Sequence, residues 1–170
     1  FLNLDWANRS AATLTCTTGV CGYRCNTGFA DYSTTPEVTV LADGAYVANW
    51  ELNGDIFTQR YDAYGQPLGG ATQISSANYS FNSSIAALTD GGYIVTFIDY
   101  SSLLSRYSVF ARRFDAEGTQ TADLLLQTSA SYPQAPMVTG LPNTGAAAGG
   151  YAVTWYDYGG STADIRARVF

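Results

Sequence analysis

The chain has 170 residues, a formal net charge of −6 and a charged fraction of 13%; all eight cationic side chains are Arg, and Lys and His are absent. Without His and Lys, Ser-His-Asp and Cys-His catalysis and Schiff-base chemistry are excluded. An acidic chain with no basic cluster argues against nucleic acid and anionic membranes as partners, and its apolar runs are too short for membrane insertion.

In chain order, residues 1–29 come first and have no counterpart downstream. Leu2, Leu4 and Trp6 alternate with polar neighbours, which places them on one face of a strand. Ala12–Thr15 is a second strand-like run, and Asn8-Arg-Ser is a glycosylation triplet. Cys16, Cys21 and Cys25 follow within ten residues. They allow one local disulfide and leave one sulfur over, either an inert thiol or a cross-link between chains; a metal or redox role is the remaining reading. Three thiolates with no His lack the fourth ligand of a zinc site, so no metal and no cofactor is expected. The first residue is Phe rather than Met, which suggests a processed form or a partial sequence.

From residue 30 the chain repeats itself. A twelve-residue pattern with Ala, Tyr, a β-branched residue and Leu at fixed places begins at Ala30, Ala77 and Ala130, with spacings of 47 (77 − 30) and 53 (130 − 77). Such a period marks an array of supersecondary units, here 30–76, 77–129 and 130–170. Each pattern runs into an Asp-Gly or Gly-Gly hairpin signal at Asp43-Gly44, Asp90-Gly91 and Gly149-Gly150. Alternating strands follow at Tyr46–Trp50, Tyr93–Phe97 and Tyr151–Trp155, and third strands at Asp55–Tyr61, Tyr107–Phe114 and Asp164–Phe170. Short fourth strands are expected near Thr72–Ser75 and Leu124–Thr128. Phe170 aligns with Tyr61 and Phe114, so the third unit lacks that strand. No segment has helical apolar spacing. The expected fold is all-β: three four-stranded antiparallel meanders, shaped like propeller blades, with the N-terminal strand completing an open sheet. A β-trefoil is the architectural rival. The small residues at the centre of the shared strand (Val38-Thr-Val, Ile85-Ala-Ala, Val138-Thr-Gly) suit a crowded inner position.

Asp43, Asp62, Asp90 and Asp115 sit beside turn glycines without the spacing of a calcium loop, which favours turn capping over a cation site. The string Leu-x-Asp-Gly-Gly-Tyr-x-Val-x-Trp, followed by Arg-Phe-Asp-Ala-x-Gly, is carried by Leu41–Trp50 with Arg60–Gly65 and by Leu88–Phe97 with Arg113–Gly118. It resembles a repeat of very large bacterial secreted and surface proteins. The third copy departs, with a longer hairpin at Pro142–Ala148 and no Asp-Ala-x-Gly turn. The resemblance implies a blade-like unit, an adhesin-type extracellular setting and no catalytic residues to carry over.

The functional expectation is a secreted or cell-surface structural and adhesive protein that is not an enzyme. Its partner would be itself: Leu2, Leu4 and Trp6 anchor a donated strand, and Asp164, Ile165, Val169 and Phe170 accept it in a filament. The rival is a carbohydrate-binding module using Tyr32, Tyr79 and Tyr132 as ring platforms, with Trp50, Phe97 and Trp155 assigned to the core. Asn78 and Asn82 open two further glycosylation triplets in one inter-repeat loop.

Overall fold

Period-2 alternation between glycine turns leaves the backbone few options other than meandering strands. A computed structural model describes residues 33–75, 79–101, 105–126, 132–145, 149–159 and 162–170. In the first unit β1 (Ser33–Val40), β2 (Tyr46–Leu52), β3 (Asp55–Tyr61) and β4 (Thr72–Gln73) form one sheet in that order. The second sheet holds β5 (Phe81–Ala87), β6 (Tyr93–Ser101), β7 (Arg106–Phe114) and β8 (Gln120–Leu125), again in sequence order. The third holds β9 (Tyr132–Gly140), β10 (Tyr151–Tyr158) and β11 (Ala163–Val169), with β10 central. Every pairing is antiparallel. The third sheet has three strands among the described residues, as the repeat alignment requires. The second sheet's last strand begins at Gln120, four residues earlier than expected, because Phe114 pairs with Gln120 across a bulge.

The sheets stack face to face in chain order. Val47 and Ile56 from the first sheet meet Ile85, Val95 and Phe97 from the second in one apolar cluster. Ile94, Val109 and Ala111, on the opposite face of the second sheet, meet Tyr151, Val153 and Trp155 of the third. Each repeat thus makes its own sheet, which is a blade arrangement and not a trefoil. The first strands run past one another across the stack. Gly140 lies so close to β5 that a Cβ there would overlap the Ala87 carbonyl oxygen, which explains the glycine of the third repeat, whereas Val38 and Val40 of the first are exposed and not crowded.

Two features recur in every blade. Tyr46 stacks on Tyr61, Tyr93 on Phe114 and Tyr151 on Phe170, with centroids 4.9, 4.8 and 4.8 Å apart. Burial pushes the Tyr61, Tyr93 and Tyr151 phenols above their ordinary value. The neighbouring Tyr46 adds to the rise at Tyr61, whereas a Thr58 hydrogen bond opposes it at Tyr93. A raised folded-state value means the folded form holds the proton longer than the unfolded chain. Stability is therefore full below about pH 10 and falls as pH rises through the folded values. Alkaline titration of tyrosinate absorbance alongside circular dichroism should show ionisation of this group coinciding with unfolding. Free titration of every tyrosine in the folded protein would refute this.

The second recurring feature is a bulge with positive φ at a residue other than Gly. Thr35 (φ 48°), Asn82 (φ 55°) and Ala135 (φ 43°) occupy one place in the twelve-residue pattern. The register slips beside each of them, between Thr34 and Glu37, between Phe81 and Ser84, and opposite Thr154–Tyr156. Left-handed backbone costs an ordinary residue about 1–2 kcal/mol. Ala135→Gly relieves that strain while adding freedom to the unfolded chain, so a net stabilisation of about 0.5 kcal/mol is expected in urea unfolding. Destabilisation there would indicate that the bulge is not strained.

Candidate functional site: a tyrosine rim and a carboxylate latch

The bulges gather polar groups at the end of the stack where the first strands begin. The bulge takes Asn82 and Ser83 out of register with β6, and β5 is the edge strand of its sheet, so side chains of the first blade accept hydrogen bonds from the open N–H groups of β5. Glu51 Oε1 accepts hydrogen bonds from the Asn82 N–H (2.6 Å), the Ser83 N–H (3.4 Å) and the Thr35 hydroxyl (2.6 Å). Glu37 Oε2 accepts from the Ile85 N–H at 3.0 Å, and the Thr39 hydroxyl oxygen from the Ala87 N–H at 3.0 Å. The buried Asn49 amide donates to the Ser83 hydroxyl at 2.7 Å. Between the second and third blades, Asn82 Nδ2 donates to Gln134 Oε1 at 3.3 Å. Glu37 on β1 and Glu51 on β2, which fall at different phases of the repeat, thus both bond to β5 and lock two blades together.

Tyrosines border this latch. Tyr79 is 70% and Tyr132 63% exposed, and Tyr132 pairs across the ladder with the exposed Tyr158. Tyr100 is the counterpart of Tyr158 and is also exposed. Tyr100 packs edge-on against Tyr107 (5.5 Å), which contacts Phe81 (5.3 Å); Tyr156 orients Tyr158 in the same way (5.4 Å). One residue before each of these rings, Asp99 and Asp157 are buried on the opposite side of the strand. The Asp99 carboxylate accepts the Tyr100 N–H at 2.7 Å, and Asp157 lies 3.9 Å from the Arg166 guanidinium. Exposed rings in a row are the groups that stack on the C–H faces of neutral polyols, while the carboxylates and amides behind them are spent on holding the strands in place.

The sequence-derived residues divide as follows. Tyr79 and Tyr132 are on the rim, whereas Tyr32 lies outside the described residues, as do Leu2, Leu4, Trp6, Asn8, Cys16, Cys21, Cys25 and Asn78. Asn82 sits in the bulge with its amide engaged by Gln134, so a glycan there would have to break that bond. Phe97 and Trp155 are core; Trp50 is half-buried and stacks on Phe57 on the face of the first blade turned away from the second. The turn aspartates cap backbone as expected: Asp43 takes the Ala45 N–H, Asp62 those of Tyr64 and Gln66, Asp90 that of Gly92, and Asp115 those of Glu117 and Thr119. Asp90 also pairs with Arg113; although partial burial alone would raise its carboxyl, the Gly92 N–H and the guanidinium hold it below the usual range. Asp164, Ile165 and Val169 lie on β11, every residue of which is exposed, and Phe170 closes the second apolar cluster. Sequence reasoning missed Tyr100 and Tyr158, although the repeated Asp99-Tyr100 and Asp157-Tyr158 pairs were a usable signal. The Glu37–Glu51 latch has no signal of its own.

A cavity of about 200 Å³ also lies between the first two blades, lined by Thr58, Arg60, Tyr93, Glu117 and others. It is smaller than ordinary ligand pockets, and Arg60 spends a donor on the Glu117 carbonyl there at 2.7 Å.

No family model matches the chain, and no curated protein does. Among solved structures, the chain is similar to an endo-arabinase from Bacteroides thetaiotaomicron, with a TM-score of 0.53 and 11% identity. The match covers 82% of this chain and 56% of that one, so this chain spans little more than half of the enzyme. The likeness supports the propeller-like, all-β fold. It also corrects the expectation that the chain is not an enzyme, because a scaffold of this shape carries catalysis in the endo-arabinase. That expectation weighed the missing His and Lys and three Glu at different phases of the repeat, and it left a carboxylate pair for glycoside cleavage formally open.

Proposed function

We propose that the chain is an extracellular, adhesive binding protein whose working surface is the tyrosine rim and whose ligands are neutral oligosaccharides. The observation that carries this reading is the recurrence of exposed tyrosines at two places of the repeat in successive blades, Tyr79 and Tyr132 at one and Tyr100 and Tyr158 at the other. A core does not need exposed rings, whereas a repeating polymer is well matched by repeated ones. The negative net charge disfavours anionic glycans. An array of neutral oligosaccharides tests the reading. Tyr79→Ala and Tyr132→Ala should each weaken binding about tenfold, the equivalent of a single ring contact of about 1.4 kcal/mol. Absence of any bound glycan, or unchanged binding by both folded variants, would sink it.

A second reading, strand addition into a filament, is favoured by β11. Its seven residues are exposed, and Ile165 reaches 84%. Long exposed edges of this kind invite another strand. Electron microscopy of the unreduced protein should then show filaments that Trp6→Glu abolishes.

A further inference from the structure

The two outward faces of the stack repeat, position for position, the faces that are buried inside it. Val38 occupies the place of Ile85, and Val40 that of Ala87. Ile85 is 8% exposed against the first blade, whereas Val38 is 63% and Val40 66% exposed. At the other end, Ile165 occupies the place of Ile56 and Val109, and Ala167 that of Ala111. Ile56, Val109 and Ala111 are each 0% exposed, whereas Ile165 is 84% and Ala167 is likewise open to solvent. Met137, at the place of Ser84, adds a 63% exposed apolar side chain to this outward face of the third blade. A solvated sheet face normally alternates to polar residues. These faces keep the small and β-branched pattern of a packing face.

We propose that these two faces dock on each other between copies of this chain, with the third blade of one molecule on the first blade of the next. The occupant follows from the geometry of the stack. Inside the molecule, the face carrying Ile85 packs on the face carrying Val47 and Ile56. The outward faces carry Val38 on one side and Ala152 with Ile165 on the other, so each is the complement of the other and not of itself. A second copy satisfies both faces, whereas one added segment covers only one. The contact is heterologous, and such contacts close into rings or run on as open polymers. Two copies place six blades in a ring, within the usual four to eight for propellers, so a closed dimer is the expected product. The docking face carries Tyr132 and Tyr158 at its rim end, where Tyr100, at the place of Tyr158 in the second blade, stays 42% exposed beside its neighbour. This docking differs from strand addition at β11, because it uses sheet faces and not a sheet edge.

Complementary substitution in the full chain tests the proposal by analytical ultracentrifugation. The unmodified 170-residue chain should sediment at twice 18.2 kDa, with concentration-dependent dissociation. Val38→Glu and Ile165→Arg alter exposed positions, so both should fold and keep the circular dichroism of the parent. Each alone puts an unpaired charge into every contact, and each should sediment as a monomer. An equimolar mixture should recover the dimer, because a Val38→Glu molecule still offers an intact third-blade face to the intact first-blade face of an Ile165→Arg molecule. That rescue is specific to a head-to-tail contact. A monomeric parent protein, a mixture that stays monomeric, or a dimer that survives both substitutions, as a disulfide-linked one would, overturns the proposal.

Discussion

Phe97→Ala should lower the unfolding free energy by about 3–5 kcal/mol, the usual cost of emptying a buried aromatic site. Phe97 is 0% exposed at the middle of β6, inside the cluster that joins the first two blades. Its ring lies parallel to that of Phe110 at 6.1 Å, and the Arg112 guanidinium sits 5.6 Å from its centroid. Alanine would remove all three contacts and leave a void between two twisted sheets, whose register is fixed by ladders on either side. The same substitution at Trp50 provides the control. Trp50 occupies the equivalent place on β2 and stacks on Phe57 with the same 6.1 Å separation, but on the outward face. Its replacement in dilute solution should cost about 1–2 kcal/mol, since only partly buried surface is lost. Chemical denaturation of the two variants reads the difference directly. Equal losses would mean that the first two sheets do not pack through this face.

Glu51→Ala should cost about 2–4 kcal/mol, because one carboxylate serves three donors and a charged acceptor contributes more per bond than a neutral one. Its removal strands the Asn82 and Ser83 N–H groups in a bulge whose ladder partners are already gone. It also releases the Thr35 hydroxyl, at the equivalent bulge of the first blade. Glu51→Gln keeps a carbonyl acceptor and should recover about half of the loss. A drop below about 0.5 kcal/mol for the alanine variant would show that water replaces the carboxylate at no cost. The latch also bears on the rim. Tyr79 precedes the bulge by three residues, so loosening Glu51 should weaken glycan binding as well as stability, whereas Phe97→Ala acts at the core.

Much of this was legible in the residues. Asp43-Gly44, Asp90-Gly91 and Gly149-Gly150 each specify a hairpin through positive φ, and Gly44, Gly91 and Gly149 take φ values of 86°, 92° and 73°. The Tyr–aromatic stacks follow from register alone: in a tight antiparallel hairpin the first residue of one strand faces the last of the next. The tyrosine rim was half legible, through Tyr79 and Tyr132, because the twelve-residue pattern marks them. The bulge residues were not. Thr35, Asn82 and Ala135 share no chemistry, and only Asn favours the left-handed region, so a common backbone twist leaves no common side chain.

The strands, their turns and the three-fold repeat were fixed by the residues alone. Those are local matters of period, glycine placement and pairing between neighbours in the chain. The tertiary structure alone decided which face of each sheet is buried and which side chains meet across blades. Glu51 reaches Asn82 across 31 residues and Glu37 reaches Ile85 across 48. Such contacts depend on how far one sheet slides and turns on the next, and both faces of each blade carry nearly the same apolar pattern. Alternation therefore leaves the stacking order open, and the fit of Gly140 against Ala87, with the hydrogen bonds of the bulged strands, selects it.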